Sequence, residues 1–302
     1  MTEIKAGQIV GRLSYDCDVL FRVHRIHGGE AELFGEEVRL VADAPLDDLT
    51  VIEEEDRKIR KREQKLQEES CYHLFRQERK LVREKTDYDI TSGYTKKNAY
   101  FEVPGRVLHL DGDPLYLKKC TAVYDRLGVP VYGVHLPENE MAEQVASLVE
   151  MVRPDLLVIT GHDAYTKSRG SKSELKAYRN SKNFADTVRE ARKVIPYKDH
   201  LMIFAGACQS HFQSILKSGA NFASSPERVN IHALDPVYVV AKVSLTPYSE
   251  QLSMWDILKT TLSGEKGLGG LETIGSLRRG IPFYDNPNEE EEGNKNNHDI
   301  LT

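Results

Sequence analysis

The sequence predicts an α/β protein built around a mostly parallel sheet. From about residue 99 onward, the apolar runs RVLHL, VPVYGVHL, DLLVIT and LMIFAGA alternate with segments whose apolar residues recur at helical spacing. The runs are apolar on both faces, which is typical of strands buried in a parallel sheet. We therefore expect helices on both faces of the sheet, with right-handed crossovers.

The segments between these runs predict the helices of this domain. The first predicted helix, closed by Gly128, is PLYLKKCTAVYDRLG. Two more helices are predicted in ENEMAEQVASLVEMVR and NSKNFADTVREARKVI. The fourth strand ends at Cys208, and the polar residues after it are expected to open a further helix. Residues 99–283 form the predicted α/β domain.

Three other regions have different compositions. Residues 1–50 contain short strands separated by turns and predict a small SH3-like β-barrel. Residues 51–98 are highly charged, with apolar residues mostly seven apart, and predict one long exposed helix. This helix is expected to act as a linker or to join two copies of the chain through residues 52–85. Residues 284–302 predict an acidic disordered tail.

Composition narrows the class of protein. The 302 residues carry 41 basic and 47 acidic side chains, a formal charge of -6, which does not indicate a nucleic-acid binder. No run approaches the length of about 18 apolar residues that a membrane span needs, and MTEIKAGQIVGR lacks the apolar core of a signal peptide. We expect synthesis in the cytoplasm without secretion by a signal peptide.

The four cysteines do not form a recognisable set. They show neither CxxC pairing nor regular spacing, which disfavours a disulfide framework or a zinc site: Cys17, Cys71, Cys120 and Cys208. We expect no metal and no cofactor. Adjacent residues such as His162 and Asp163 rarely face one ion, so metal-assisted hydrolysis is a weak alternative.

Reactive side chains follow three of the predicted strands. The strand ends are Asp111-Gly112-Asp113, Gly161-His162-Asp163 and Gly206-Ala207-Cys208. Because the carboxyl ends of parallel strands meet at one edge of a sheet, adjacent third and fourth strands would bring His162 and Cys208 together. A cysteine at a helix start favours the thiolate, and a neighbouring histidine can take its proton and return it to a leaving amine.

This pair predicts acyl transfer, most simply hydrolysis of a peptide bond. The backbone amides of Cys208 and Asp163 are expected to stabilise the oxyanion, each contributing about 2.7–4 kcal/mol at the transition state. We include the backbone of Gly161 and Gly206 in this part of the site, since glycine lets the chain turn without a side chain in the way.

Other histidines compete with His162 as the base. His211 lies three residues beyond the cysteine, on the same predicted helix. His109 and His135 fall inside strands, where a hydrogen-bonded core histidine is the commoner case. His232 precedes Asp235-Pro236 and stays open as an alternative.

A histidine after one apolar strand and an Ala-Cys pair after the next resemble the caspase, gingipain and clostripain-like cysteine proteases. More closely, the chain resembles the YabG family of sporulation-specific cysteine proteases of endospore-forming bacteria. The segments that carry this resemblance include PGRVLHLDGD, VITGHDAY, FAGACQSHF and GANFASSPERVNIHALDPVY. The resemblance implies a caspase-like (flavodoxin-like) fold, with His162 and Cys208 as the catalytic pair. The wider caspase-like pattern often has glycine directly after the histidine, where this chain has Asp163.

The resemblance also implies a peptidase that trims spore coat and germination-related proteins, in or on the developing spore, and prefers cleavage after arginine. Such a preference requires an acid in the pocket that receives the arginine side chain. Asp163 and Asp235 are candidates from their position, Asp111 and Asp113 either line the pocket or cap the first helix, and His232 is a further substrate-contacting candidate.

Two other classes of function stay open. The sheet alone would suit a flavodoxin-like domain that grips an anionic ligand, although the loops carry neither GxGxxG nor a P-loop. The small β module and the long helix would suit a structural protein of a spore layer. For a peptidase, the exposed, arginine-rich stretch of residues 56–62 is a candidate site of self-cleavage.

Overall fold

A computed structural model describes residues 3–91 and 101–280 of the chain. It confirms a mixed α/β protein with a mostly parallel sheet, helices on both faces and a separate antiparallel sheet. The expected acidic tail, residues 284–302, lies outside the described residues, as do residues 92–98 at the end of the expected linker. Within the described ranges, none of the helices has the length and apolar character needed to cross a bilayer.

The N-terminal sheet is antiparallel, with strand order β4-β3-β2-β1-β5. Its strands are β1 (Ile9–Arg12), β2 (Phe21–His27), β3 (Glu30–Gly35), β4 (Val41–Pro45) and β5 (Leu49–Val51). Buried apolar residues alternate along β2 and β3, so one face of the sheet packs inward. The SH3-like identity of this region stays a prediction.

The large sheet has strand order β13-β11-β10-β9-β7-β8, and β13 alone runs antiparallel to its neighbour. Its strands are β7 (Val107–Asp111), β8 (Val131–His135), β9 (Leu156–Thr160), β10 (Met202–Ala205), β11 (Phe222–Ser224) and β13 (Leu268–Gly270). Two small pairs join β6 (Phe101–Val103) to β15 (Arg278–Gly280) and β12 (Gln251–Leu252) to β14 (Thr273–Ile274).

The helices cover both faces of this sheet. They are α1 (Glu54–Thr91), α2 (Pro114–Leu127), α3 (Met141–Val152), α4 (Ser181–Val194), α5 (Phe212–Lys217), α6 (Asp235–Ser244), α7 (Met254–Leu258) and α8 (Gly264–Gly267). Successive strand residues point to opposite faces: Leu156 packs in the core formed with α2 and α6, and Leu157 in the core formed with α3 and α4. Gly128 closes α2 in the left-handed region, at φ 71°, as predicted.

Helix α1 contacts the α/β core. The apolar residues that suggested an exposed seam, among them Leu66 and Leu81, are indeed exposed. Tyr72 and Phe75, which the sevenfold spacing passes over, are buried in the core cluster of α2 and α6. The middle of α1 is thus anchored by aromatic residues, and association of two copies through its exposed side stays a prediction.

Candidate active site

The strand order places three polar strand ends at one edge of the large sheet. The parallel strands β8, β7, β9, β10 and β11 follow the order 2-1-3-4-5, so the order reverses between β7 and β9. Strands β9 and β10 are neighbours, with Ile159 opposite Ala205. His162 and Cys208 each lie three residues beyond this pair, so both follow adjacent strand ends, as the sequence predicted.

Gly206 lets the chain turn sharply after β10. Its φ is 114°, which L-residues rarely adopt, and a Cβ at this position would overlap the Ser224 hydroxyl. Cys208 follows in a turn, and α5 begins only at Phe212 with His211 as its N-cap. The expectation that Cys208 sits in the first turn of a helix is therefore wrong, and α5 has only 6 residues.

Cys208 is fully buried under the N-terminal sheet. It belongs to a cluster with Val10, Phe21 and Leu33 of that sheet. Burial raises the pKa of its thiol well above the usual range, although nearby backbone groups and Arg39 act in the opposite direction. The expected thiolate, favoured by a helix dipole, is thus not the form of Cys208 in this structure.

His162 is also buried, and its ring lies between aromatic side chains. Phe34 of β3 stacks on it at 4.1 Å between ring centroids, and Tyr116 lies at 5.3 Å. Among the described residues, no hydrogen-bond partner reaches either ring nitrogen, while Asp113 Oδ2 is 3.6 Å from Nε2. Burial lowers the pKa of His162 to about 4 against the opposing effect of Asp113, so the ring is neutral at pH 7.

A short irregular stretch, residues 37–41, fills the edge between these two residues, and the Leu40 amide donates to the Val38 carbonyl at 2.8 Å, which closes a tight turn at Arg39. We call it the blocking segment. The Arg39 carbonyl oxygen accepts hydrogen bonds from the amides of Asp163 (3.3 Å) and Cys208 (3.1 Å). These are the two amides that the sequence predicts for oxyanion binding, and they bind the same oxygen atom.

The Arg39 side chain occupies a closed pocket and has no exposed surface. Its Nη1 lies 2.9 Å from an oxygen of Asp111, which is equally buried. Its Nε and Nη2 donate to the Ala233 carbonyl at 3.1 and 3.0 Å, and the guanidinium stacks over the Tyr116 ring. Burial, the largest single effect, lowers the pKa of Arg39, but the neighbouring acidic groups, Asp111 first among them, together outweigh burial and raise the pKa, so the pair is ionised.

The other predicted pocket acids are engaged elsewhere. Asp113 caps α2 by accepting from the amides of Leu115 and Tyr116, and it forms an ion pair with Arg22 of β2 at 2.7 Å. Asp163 accepts from the amides of its own loop and from two serine hydroxyls, those of Ser181 and Ser210. Of these carboxylates, Asp111 is the one that the structure pairs with a guanidinium in a closed pocket.

Asp235 and His232 organise the loop that faces the blocking segment. Asp235 accepts hydrogen bonds from the amides of His232, Leu262 and Ser263. The His232 ring contacts Gln64 and Glu68 of α1, at 2.9 and 3.4 Å. His232 thus lies beside the site and points toward α1.

Three further histidines differ from His162. His109 is buried, with contacts from its ring nitrogens to Thr160 and Tyr124 at 3.0 and 3.3 Å. The His211 ring accepts from the Ser214 amide as the N-cap of α5. His135 is exposed at the end of β8. His162 therefore stands apart by having its buried ring nitrogens unpaired within the described chain.

Glu138 is a residue of the site that sequence reasoning missed. Its carboxylate accepts from the His162 amide at 2.8 Å and lies against Gly112 and Gly161, where a Cβ would overlap it. Burial raises its pKa to about 7. Gly161 is thus required by this close approach, and Glu138 orients the backbone that carries His162.

In the part of the chain that the structure describes, two groups of side chains have donor types that suit a metal ion. They are His109, Asp111 and Cys120, and Glu37, Glu68 and His232. In the first group, Arg39 donates to both Asp111 and Cys120. In the second, the Gln64 side-chain amide contacts all three members. Protein donors therefore already occupy both groups.

Comparison with known proteins identifies the family. Residues 5–282 match the model of the family described as YabG peptidase U57. The chain is 52% identical over 289 residues to the sporulation-specific protease YabG of Bacillus subtilis (strain 168), covering 94% of this chain and all of that protein. Together with the strand-end histidine and cysteine described above, these matches confirm the resemblance seen in the sequence, and the chain belongs to the YabG peptidase family.

Proposed function

We propose that this chain is a cysteine endopeptidase of sporulation that cleaves spore coat and germination-related proteins on the carboxyl side of arginine. Cys208 is the nucleophile and His162 is the general base and acid. Membership of the YabG peptidase family supports a sporulation protease. The cysteine mechanism, the arginine preference and the substrates are the finer parts of this proposal.

The observation that carries the proposal is the position of Arg39. Its carbonyl oxygen is held by the amides of Asp163 and Cys208, and its guanidinium is paired with Asp111. An arginine in a substrate would make the same contacts, with its carbonyl carbon beside the residue that bears the thiol. The geometry thus supports hydrolysis of a bond that follows arginine.

In the proposed reaction, the thiol of Cys208 gives its proton to His162 as the sulfur attacks the carbonyl carbon. His162 is suited to this step because its ring nitrogens are unpaired within the described chain and its neutral form predominates at pH 7. Asp113, 3.6 Å from Nε2, is a positioning residue that favours the imidazolium formed when the proton arrives. His162 then passes this proton to the leaving amine.

The tetrahedral intermediate places a negative charge on the former carbonyl oxygen. The Asp163 and Cys208 amides are fixed by the turns that follow β9 and β10, so they need little reorganisation to stabilise that charge. The Asp163 side chain contributes indirectly, since its hydrogen bonds to Ser181 and Ser210 hold the two loops together. Water then hydrolyses the thioester and restores the thiol.

Asp111 explains an arginine preference through charge and shape. The guanidinium pairs with its carboxylate, donates to the Ala233 carbonyl and stacks over Tyr116. Lysine has a single ammonium group and cannot reproduce these directed contacts. A glutamine side chain would leave the buried carboxylate of Asp111 without a cation.

The test is to map the cleavage sites in an unfolded, arginine-containing protein and in a spore coat extract. We expect cuts after arginine with the wild-type chain and none with Cys208→Ala or His162→Ala. Cys71→Ala and His200→Ala are the matched controls and should cut normally, because Cys71 lies on α1 and His200 precedes β10 at the opposite end of the strand. Cleavage that survives in Cys208→Ala contradicts the cysteine mechanism.

A further inference from the structure

The blocking segment, residues 37–41, lies in the candidate active site as a substrate would. We propose that it is an internal substrate that keeps the enzyme latent, and that the enzyme activates itself by cutting its own Arg39–Leu40 bond. The inference rests on the proposed cysteine mechanism and names the first bond on which that mechanism acts.

The backbone of the blocking segment is bound on both sides. On one side, Val38 forms an antiparallel bridge with His232, the Ala233 amide donates to the Glu37 carbonyl at 3.0 Å, and the Arg39 amide donates to the Ile231 carbonyl at 3.4 Å. On the other side, Leu40 forms a parallel bridge with Asp163. Main-chain hydrogen bonds to strand-like edges are a usual way in which a protein binds a peptide by its backbone.

The side chain of Arg39 fixes the register of that binding. Because it fills the pocket of Asp111, Arg39 is the residue whose carbonyl meets the two oxyanion amides. Tyr116 strengthens the register, since its hydroxyl donates to the Val38 carbonyl at 2.9 Å and also contacts the Gly35 carbonyl. The bond presented to Cys208 is therefore Arg39–Leu40.

The N-terminal sheet also holds the catalytic pair in a neutral form. Phe34 covers the His162 ring, and the cations of Arg22 and Arg39 oppose its protonation. Arg22 further engages Asp113, the carboxylate that would otherwise favour the imidazolium. An outside substrate cannot reach this pair while the segment is in place, because His162 and Cys208 are buried.

The residues after Arg39 border a surface cleft. Leu40, Val41 and Asp43 line a surface cleft of about 610 Å³, together with Ala164 and Gln209. When the Leu40 nitrogen is released, the new amino terminus can move into this cleft. The side that receives the leaving group is thus accessible even though the catalytic pair is covered.

The proposed step balances with water as the co-reactant. The Cys208 sulfur bonds to the Arg39 carbonyl carbon while its proton passes to His162. The C–N bond to Leu40 then breaks, and the proton goes to the Leu40 nitrogen. Water hydrolyses the thioester, which leaves a carboxylate on Arg39 and returns the thiol.

The other candidate for self-cleavage, residues 56–62, lies in the regular helix α1. A helix must unwind before a protease can bind its main chain, whereas residues 37–41 lie outside any helix and are already bound by their main chain in the site. Residues 56–62 therefore provide a competing outcome for the same experiment, and the two candidates give fragments of different mass.

The experiment follows the purified full chain by intact mass and by sequencing of new amino termini. We expect a fragment that begins at Leu40, formed at a rate independent of protein concentration because Arg39 is inaccessible to a second copy. Hydrolysis of an added arginyl peptide should show a lag that ends as this fragment accumulates. Cys208→Ala should keep its Arg39–Leu40 bond, even when mixed with wild-type protein.

Variants at Arg39 identify the bond. Arg39→Gln should slow formation of the Leu40 terminus more than about 30-fold, as expected for losing one partner of a buried charge pair, and Arg39→Lys should slow it less. Arg25→Gln is the control, since Arg25 is an exposed arginine of β2. A free peptide with the sequence of residues 37–41, and its glutamine counterpart, test the same preference without affecting folding.

The outcomes separate this inference from the proposed function. If the added arginyl peptide is cut in a Cys208-dependent way but no Leu40 terminus forms, the proposed function stands and the inference is overturned. Self-cleavage only within residues 56–62 also overturns it, as does a rate that rises with protein concentration. If wild-type chain cuts neither itself nor any peptide, the proposed function fails.

Discussion

Replacing Asp111 by asparagine tests the contact that is proposed to connect stability and specificity. Asp111 and Arg39 both have 0% exposure and lie 2.9 Å apart. The substitution leaves a buried guanidinium without its counter-charge, and breaking such a pair costs about 3–5 kcal/mol. The asparagine side chain retains an oxygen for the Asp113 amide or the Thr160 hydroxyl, so loss of the charge should dominate.

The measurement is the free energy of unfolding in denaturant, with both chains in a Cys208→Ala background so that self-cleavage does not interfere. Asp186→Asn is the control. Asp186 pairs with Lys182 and Arg189 on the surface of α4, so its loss should cost less than about 1 kcal/mol. Asp111→Asn in the active chain should reduce the preference for arginyl over glutaminyl peptides by more than about 30-fold. A change in stability below about 1 kcal/mol, together with an unchanged preference, would refute the assignment of Asp111.

Three further substitutions test the surroundings of His162 and Cys208. The pKa of His162 falls to about 4 in the folded state, so the wild-type chain loses stability as pH falls from 7 to 4. His162→Asn should therefore gain about 3 kcal/mol relative to wild type over this range, measured by unfolding in denaturant. Parallel curves of unfolding free energy against pH for the two chains would exclude this effect. Glu138→Gln should remove the opposite effect, in which the wild-type chain loses stability as pH rises from the ordinary pKa of glutamate to about 7. Unchanged pH dependence would count against a half-buried Glu138 that titrates in this range. Gly206→Ala should lower the melting temperature more than Gly28→Ala. Both glycines have positive φ, but only a Cβ at Gly206 would overlap Ser224. Equal decreases in melting temperature would contradict the steric argument.

Local pattern was sufficient to predict the sheet and the order of its helices. Runs such as DLLVIT carry consecutive apolar residues and are buried on both faces, whereas the helical segments carry apolar residues on one side. These two patterns therefore distinguish the strands from the helices in the sequence. Those same runs place His162 and Cys208 at adjacent strand ends. The glycine after β10 was correctly expected to form the turn.

Long-range contacts account for what the pattern missed. Cys208 was expected in a helix, but Ser210 donates to Asp163 and Gln209 adopts a positive φ of 56°, which continues the turn as far as His211. The local sequence around Arg39, EVRLVAD, indicates only an ordinary residue of a strand. Its partner Asp111 lies 72 positions away, so only the tertiary structure reveals the pairing.

The burial of Arg39 is explained by the same chemistry that would select a substrate. Desolvating a guanidinium is costly, and the Asp111 carboxylate, the Ala233 carbonyl and the Tyr116 face together offset that cost. A pocket that stabilises a buried guanidinium in this way does not distinguish an arginine of the same chain from an arginine of another protein, because both side chains present the same five N–H donors. The internal arginine has the advantage of being tethered, since its effective concentration is set by the chain and not by the solution. In the proposed latent state, the contacts that hold the Arg39 side chain are those that substrate recognition would also use, and cutting after Arg39 would remove the tether while leaving the pocket intact.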